Sequence, residues 1–223
     1  MDKQLLKQAL IKFSAGVILT GLLLFLPAGT LRYPGGCLLC LLLFLPMFVA
    51  GLVMLKKAPD LLRKRLDAKE KLGTQKAVIG LSGLMFVGGF VLAGLDWRFG
   101  WTRVPAWLTV LSAVLFLVGY GLFAEVLREN AWLSRTVEVQ QGQRVVDTGL
   151  YGLVRHPMYS ATLLLFLAMP LILGSCLSLL VFLIYPPTIV KRLKSEEELL
   201  KRELYGYESY CQKVKYRLLP YIY

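Results

Sequence analysis

The stretch PAWLTVLSAVLFLVGYGLFAEVL, residues 105–127, contains a single charged side chain, that of Glu125. A helix of about 20 mostly apolar residues is long enough to cross the hydrocarbon core of a bilayer. The stretch therefore predicts a transmembrane helix, and it excludes an ordinary soluble domain as the frame of the protein.

Comparable apolar runs recur along the 223-residue chain, of which 57% is hydrophobic, against about 45–50% in soluble domains. The last two runs are short, and they predict a tight helical hairpin that turns at Gly174 and Ser175. We therefore expect an all-α, polytopic integral membrane protein with about six crossings, or five if the hairpin is re-entrant. We expect the first run to be a retained helix, because no small-x-small cleavage site precedes the second run. The predicted spans cover residues 13–31, 35–55, 77–95, 105–127, 158–174 and 176–190.

The formal net charge of +12 results from 26 Lys and Arg against 14 Asp and Glu, and its placement is informative. Basic side chains crowd the loop 56–76 and the segment 191–217, whereas the connections 31–35 and 96–103 carry few. The positive-inside rule therefore predicts that both termini, the basic loop and the segment 128–157, with the active site, face the cytoplasm. Attraction to anionic headgroups accounts for the charge more simply than nucleic-acid binding, which we do not expect.

The chain is predicted to divide into an N-terminal scaffold of transmembrane helices, 1–127, and a C-terminal region that carries the chemistry, 128–223. The polar segment 128–149 is longer than a plain connection between membrane helices, which indicates a function. After the hairpin, residues 188–204 predict an amphipathic helix on the cytoplasmic side. Residues 58–71 predict a short interfacial helix.

The C-terminal region contains the only histidine, His156, within GLYGLVRHPMY, residues 149–159. A lone histidine is more often structural than chemical, but this one stands at the mouth of the hairpin between an arginine and a proline. Arg192 and Glu196 lie four residues apart, so they share one face of the amphipathic helix. The loop 140–149, the hairpin entrance (residues 155–159) and this face of the amphipathic helix could converge on one opening toward lipid.

Other kinds of site are not indicated. A metal site is not expected, because a single histidine and scattered carboxylates lack ligand spacing. Cys37 and Cys40 lie in an apolar run and predict small hydrophobic residues rather than a redox or zinc pair. No stretch has the pattern of a nucleophile elbow, a P-loop or a dinucleotide fingerprint.

Two motifs of the C-terminal region resemble a known family. The stretch VVDTGLYGLVRHPMY, residues 145–159, is similar to the signature of the isoprenylcysteine carboxyl methyltransferase family. The stretches RLKSEEELL, residues 192–200, and GYESYCQKVKYRLLP, residues 206–220, are similar to the second motif of that family. The resemblance covers about residues 125–220, and the wider group also includes membrane phospholipid N-methyltransferases.

The resemblance implies S-adenosyl-L-methionine (AdoMet) as the cofactor. Arg192 falls where the family has a residue that faces the substrate, and with His156 it forms the expected catalytic pair. The positions implied to bind the cofactor are Gln140, Gln143, Arg144, Val145, Val146, Tyr151, His156, Pro157, Met158, Tyr159 and Glu196.

The resemblance also implies methylation of a lipophilic acceptor that enters from the bilayer. As the chemistry of the family, we favour methylation of the carboxylate of a prenylcysteine-like substrate. A carboxylate is already a nucleophile, and Arg192 would orient it. An amine acceptor would need a base, for which His156 or a glutamate is the candidate. Phospholipid N-methylation is therefore the alternative, and a non-catalytic membrane scaffold is the second. Membrane lipids and the lipophilic or prenylated substrate are the expected partners.

Overall fold

The computed structural model describes residues 3–66, 73–133 and 138–223, and no strand occurs among them. A 3-10 turn, Gly149–Gly152, lies between the fifth and sixth α-helices. In chain order the α-helices are α1 Lys3–Ala28, α2 Pro34–Lys57, α3 Pro59–Leu66, α4 Gly73–Phe99, α5 Ala106–Glu129, α6 Pro157–Ile172, α7 Cys176–Phe182, α8 Tyr185–Glu203 and α9 Tyr207–Lys213. The predicted all-α class is confirmed.

Five helical segments are long and apolar enough to cross a membrane, by length and composition. They are Lys3–Ala28, Pro34–Lys57, Val78–Phe99, Ala106–Glu129 and Cys176–Glu203, the last of which joins α7 and α8. The predicted run 158–174 forms α6, which has 16 residues. A helix that crosses the bilayer needs about 20 residues, so α6 is short for a complete crossing. The chain is thus a polytopic membrane protein with five candidate spans and one shorter apolar helix at the predicted hairpin.

The amphipathic helix predicted over 188–204 is most of α8, which begins at Tyr185. Pro186 and Pro187 stand in its first turn, where a proline lacks only an N–H that has no intrahelical partner. The helix therefore starts three residues earlier than predicted, because both prolines are compatible with its first turn. Within the segment Cys176–Glu203, the apolar part ends at residue 190, and the charged side chains begin at Lys191.

An aromatic core holds the start of α8 against the bundle. The ring of Phe182 in α7 packs against Phe86 and Phe90 of α4, with centroid distances of 5.4 and 6.0 Å. Phe166 of α6 packs against Phe86 at 4.8 Å and against Tyr185 at 4.6 Å. Each such pair contributes about 0.5–1.5 kcal/mol beyond its buried area. The direction in which α8 leaves the bundle is therefore set by this cluster.

A buried carboxylate ties the turn between α6 and α7 to the end of α4. Asp96 is 1% exposed and accepts hydrogen bonds from the backbone N–H of Thr102 at 2.7 Å and from the hydroxyl of Ser175 at 2.5 Å. The oxygen of the Ser175 side chain also accepts from the N–H of Ser178 at 3.0 Å and so caps α7. This cluster lies at the end of α6 remote from Pro157.

At the other end of α6, the C-terminal tail, residues 214–223, folds back onto the hairpin entrance. The backbone N–H groups of Arg155 and His156 donate to the carbonyls of Tyr216 and Arg217, both at 2.9 Å. The tail is anchored independently by Leu218, which is buried in the main core. The residues around His156 are therefore held between α6 and the tail.

The short helix α3 corresponds to the predicted interfacial helix. Leu62 is buried against Leu5 of α1 and Leu55 of α2, while Arg63 is exposed. Residues 67–71 of that prediction lie outside the described part of the chain. The boundary predicted at residue 127 falls within α5, which ends at Glu129 and packs against α6, so the division into two regions stays a prediction.

Candidate active site

A pocket opens beside the first turn of α6, between the segment that follows α5 and the charged half of α8. Its empty volume is about 490 Å³ when the open mouth is included, and the space that the centre of a water-sized sphere can occupy is about 70 Å³. Its lining residues are Asn130, Trp132, Leu133, Glu138, Gln143, Met158, Tyr159, Arg192, Glu196, Leu199 and Leu200. The lining thus combines apolar side chains with two carboxylates, two amides and one guanidinium.

Three of the residues predicted from the sequence meet in one hydrogen-bonded group. The hydroxyl of Tyr159 donates to Oε2 of Glu196 at 2.5 Å and accepts from Nε of Arg192 at 3.0 Å. Arg192 and Glu196 lie one turn apart on α8, and Tyr159 comes from the first turn of α6. The hydroxyl therefore bridges a cation and an anion at the pocket wall and restrains the orientation of both.

His156 lies one layer behind this group. Its buried ring stacks on that of Tyr159, with centroids 5.6 Å apart and planes 22° apart, and its Nε2 is 3.2 Å from Oε1 of Glu197. Pro157, the first residue of α6, is buried beside it. Because the imidazole faces Glu197, this geometry favours a role in holding Tyr159 over proton transfer inside the pocket.

Glu197, which the sequence pattern did not single out, is a buried carboxylate that faces two arginines and His156. Its side chain is 4% exposed, its Oε1 lies 2.8 Å from Nε of Arg155, and its Oε2 accepts from Nε of Arg217 at 2.9 Å. Adjacent residues of an α-helix point about 100° apart, so Glu196 and Glu197 face different partners. The acidic run 196–198 was the available signal, but only the rotational setting of α8 shows which glutamate faces inward.

The polar segment after α5 is shaped by its own amides. The backbone N–H of Gln140 donates to the side-chain oxygen of Gln143 at 2.8 Å, and the side-chain amide of Gln140 donates to the carbonyl of Trp132 at 2.6 Å. Gln140 therefore shapes the loop, whereas Gln143 and Trp132 line the pocket. Trp132 was missed, although it is the only aromatic residue in 128–149.

Tyr151 and its neighbours in the sequence lie outside the pocket lining. The hydroxyl of Tyr151 accepts from Nδ2 of Asn130 at 2.8 Å, and burial raises the pKa of Tyr151 to about 12, so the phenol is neutral. Val145 packs against the apolar cluster around α9, Arg144 is exposed and Val146 is half-buried. The part of these residues in cofactor binding stays a prediction.

Two contacts hold the turn that leads to the hairpin entrance. Oε2 of Glu129, at the end of α5, accepts from the N–H of Leu150 at 3.0 Å. Lys213 of α9 donates to Oδ2 of Asp147 at 2.7 Å, and this hydrogen bond lowers the pKa of the Asp147 carboxyl. The turn is therefore fastened on one side to α5 and on the other to the C-terminal part of the chain.

The structure brings Gln143, Met158, Tyr159, Arg192 and Glu196 together in the pocket lining. The other predicted site residues lie outside it; they are Gln140, Arg144, Val145, Val146, Tyr151, His156 and Pro157. Within the described part of the chain, no three side chains of His, Cys, Asp or Glu are grouped as metal ligands. Which residues bind a ligand or take part in catalysis stays a prediction.

Comparison with known proteins points to the same part of the chain. Residues 107–208 match the family model of the phospholipid methyltransferases, a range that runs from α5 into α9 and includes the whole pocket lining. This part of the chain is similar to the phospholipid methyltransferases, which belong to the wider group of membrane methyltransferases. The resemblance inferred from the two motifs is confirmed at the level of that methyltransferase group.

A second comparison gives a relative whose name indicates a different chemistry. The mouse Delta(14)-sterol reductase TM7SF2 is 31% identical over 131 residues, which cover 52% of this chain and 31% of the reductase. The chain therefore spans about a third of the length of that relative. The chain is thus similar in part to a family of methyltransferases and in part to a sterol reductase.

Proposed function

We propose that the protein is an AdoMet-dependent methyltransferase whose lipophilic acceptor reaches the pocket from the bilayer, on the cytoplasmic side. The observation that carries this proposal is the hydrogen-bonded group of Arg192, Tyr159 and Glu196 in a pocket at the start of the short apolar helix α6. The family match supports the reaction class, and the pocket is the place that we assign to the reaction.

The groups that line the pocket suit AdoMet, which has a sulfonium, an ammonium and a carboxylate besides its adenosine. Glu138 and Glu196 would hold cationic or hydroxyl donors, and the amides of Asn130 and Gln143 can bond to polar edges. The ring of Trp132 offers a face to a cation or to the adenine. When bound, AdoMet supplies an electrophilic methyl group.

We favour the carboxylate of a prenylcysteine-like thioether acid as the acceptor. Arg192 is the guanidinium of the lining, and it would hold a carboxylate by charge-assisted hydrogen bonds. In the transfer, the bond from methyl carbon to sulfur breaks as the bond to the carboxylate oxygen forms, the sulfur keeps the electron pair, and no proton moves. The residues of the pocket therefore need only align the two reactants, at about 3–3.5 Å between the reacting atoms.

Phospholipid N-methylation is the second candidate, and the name of the matching family model favours it. An amine acceptor must lose a proton in the course of the reaction, which requires a base. Since the imidazole of His156 faces Glu197, the carboxylates of the lining, Glu138 and Glu196, are better placed to take that proton. The sterol reductase relative makes reduction with NADPH a third outcome for the test.

Equilibrium binding of radiolabelled AdoMet to the detergent-purified protein tests the proposal, with NADPH measured in parallel. We expect saturable AdoMet binding by the parent and its loss in Glu196→Ala. Glu198→Ala is the matched control, because Glu198 belongs to the same acidic run but is exposed. Binding of NADPH without AdoMet would replace the proposal by a reductase, and binding of neither would leave the non-catalytic scaffold.

The acceptor is then identified from the product. The protein is incubated with labelled AdoMet and either a prenylated cysteine or phosphatidylethanolamine in mixed micelles. Label that is released as methanol by mild base marks a methyl ester and supports the carboxyl acceptor. Base-stable label on the phospholipid would instead establish N-methylation and reject the acceptor that we favour.

A further inference from the structure

Glu197 is the buried centre of a charged cluster that joins three parts of the chain. Its carboxylate lies 2.8 Å from Nε of Arg155, 3.2 Å from Nε2 of His156 and 2.9 Å from Nε of Arg217. Glu197 belongs to α8, Arg155 and His156 to the hairpin entrance, and Arg217 to the C-terminal tail. One carboxylate therefore connects all three.

The tail approaches this carboxylate along a fixed path. The carbonyls of Tyr216 and Arg217 accept from the N–H groups of Arg155 and His156, so the backbones of the two segments run side by side. From this position the guanidinium of Arg217 reaches Oε2 of Glu197 and also lies over the ring of Tyr223, 5.4 Å from its centroid. Arg217 is thus held in place by backbone and side-chain contacts.

The cluster is one contact away from the pocket. The ring of His156 stacks on that of Tyr159, and the carbonyl of His156 accepts from the N–H of Tyr159 at 3.0 Å. The hydroxyl of Tyr159 in turn bonds to Arg192 and Glu196 in the pocket lining. A displacement of His156 would therefore be passed directly to the group that carries the proposed function.

A contribution to the stability of the fold does not by itself explain why charged residues occupy this place. The cost of removing charges from water offsets most of the attraction within a buried ion pair, and apolar packing often serves as well. The tail already has an apolar anchor, since Leu218 is buried in the main core. Charges that converge behind His156 are better explained by the precise placement of that residue.

We propose that Glu197 and Arg217 are positioning residues that hold His156 and, through it, set Tyr159 for AdoMet binding and methyl transfer. The inference rests on the proposed methyltransferase function and names the part of the chain that keeps its site in order. Arg217 lies outside residues 107–208, which match the family model. The tail therefore adds to the site a residue that the family match does not include.

The test compares Arg217→Gln, Arg217→Lys and Glu197→Asp in the full-length purified protein. Arg217→Gln removes the charge, Arg217→Lys keeps it, and Glu197→Asp keeps the carboxylate but draws it back from His156. Lys213→Gln is the control, because Lys213 also fastens the C-terminal part of the chain, by an exposed pair with Asp147 at 2.7 Å. The measurements are the Kd of AdoMet, kcat and KM for the acceptor, and backbone hydrogen exchange over residues 155–160.

Since a misplacement of about 1 Å can cost on the order of 100-fold in rate, we expect Arg217→Gln and Glu197→Asp to lower kcat strongly. Both should also raise the Kd of AdoMet and speed hydrogen exchange at residues 155–160. Arg217→Lys should recover most of the binding, and Lys213→Gln should resemble the parent. A folded Arg217→Gln or Glu197→Asp with a lower Tm but parental Kd and kcat would show a merely structural role and overturn the inference.

The two proposals fail in different ways. If the parent binds no AdoMet, the proposed function fails, and hydrogen exchange then decides the positioning inference alone. Parental exchange at residues 155–160 in Glu197→Asp would overturn it. If Arg217→Gln does not fold, Glu197→Asp and Arg217→Lys, which keep the charges of the cluster, supply the same comparison.

Discussion

The carboxylate of Glu129 occupies the space that a side chain at Gly149 would need. Gly149 has a φ of +49°, in the left-handed region that favours glycine. The next residue, Leu150, donates its N–H to the same carboxylate. The end of α5 and the turn that leads to the hairpin entrance are thus fitted to each other through one glutamate and one glycine.

Gly149→Ala is therefore expected to lower the Tm of the purified protein. A non-glycine residue in this region costs about 1–3 kcal/mol, and a clash with Glu129 adds to that cost. A loss of 1 kcal/mol lowers the Tm by about 2–4 °C in a protein of this size. Gly142→Ala is the control, because Gly142 has a φ of +75° but only the edge of Trp132 at 4.0 Å. Equal decreases in the two variants would contradict a specific conflict with Glu129.

Tyr159→Phe should weaken AdoMet binding about tenfold or more, because a hydrogen bond to a charged group contributes about 1.5–3 kcal/mol. The change removes the hydroxyl that bridges Arg192 and Glu196. Tyr185→Phe is the matched control, since it removes a buried hydroxyl that donates to Thr162 at 2.8 Å, outside the pocket lining. Radioligand binding checks both, and equal losses would argue against a specific part for Tyr159.

Arg192→Ala should lower kcat more than it changes the Kd of AdoMet. In the proposed reaction Arg192 orients the acceptor, and poor alignment can reduce the rate on the order of 100-fold. Lys194→Ala removes a cation from the exposed side of the same helix and should leave both constants unchanged. A large loss of AdoMet binding in Arg192→Ala with a parental kcat at saturation would place Arg192 in the cofactor site instead.

Asp96→Asn should destabilise the protein and leave the Kd of AdoMet unchanged. The substitution disturbs the hydrogen bonds from Thr102 and Ser175, at the end of α6 remote from the pocket. An imperfectly satisfied buried group of this kind costs about 1–3 kcal/mol. Asp60→Asn, at an exposed residue of α3, is the control for loss of a carboxylate and should leave the Tm unchanged. A shifted Kd in Asp96→Asn would show that the two ends of the bundle are coupled.

The apolar runs and the charges between them were enough to predict a polytopic helical protein, because in a bilayer length and hydropathy decide which segments span. Arg192 and Glu196 were placed on one face by their spacing, and the pocket contains both. Glu197 could not be foreseen in the same way, since its direction depends on the rotation of α8, whose Tyr185 packs against Phe166 of α6.

Contacts between distant parts of the chain account for the other differences. Asp96 and Ser175 are 79 positions apart in sequence. They come within hydrogen-bonding distance only when α4, α6 and α7 pack together. The resemblance implies that Gln140 binds the cofactor, and this stays a prediction. In the structure its side-chain amide donates to the carbonyl of Trp132, where the loop turns back on itself at Gln141 and Gly142.

The shortness of α6 sets the depth of the pocket. The hydroxyl of Thr109 donates to the carbonyl of Leu171 at 3.3 Å, so these residues of α5 and α6 lie side by side. From that level α5 rises about 30 Å to Glu129, whereas α6 rises about 21 Å to Pro157, at 1.5 Å per residue. Along its own axis, α5 therefore extends about 9 Å further from this contact than α6 does. A head group carried on a lipid tail could then be modified without lifting the tail into water, a transfer that costs about 0.8 kcal/mol for each CH₂.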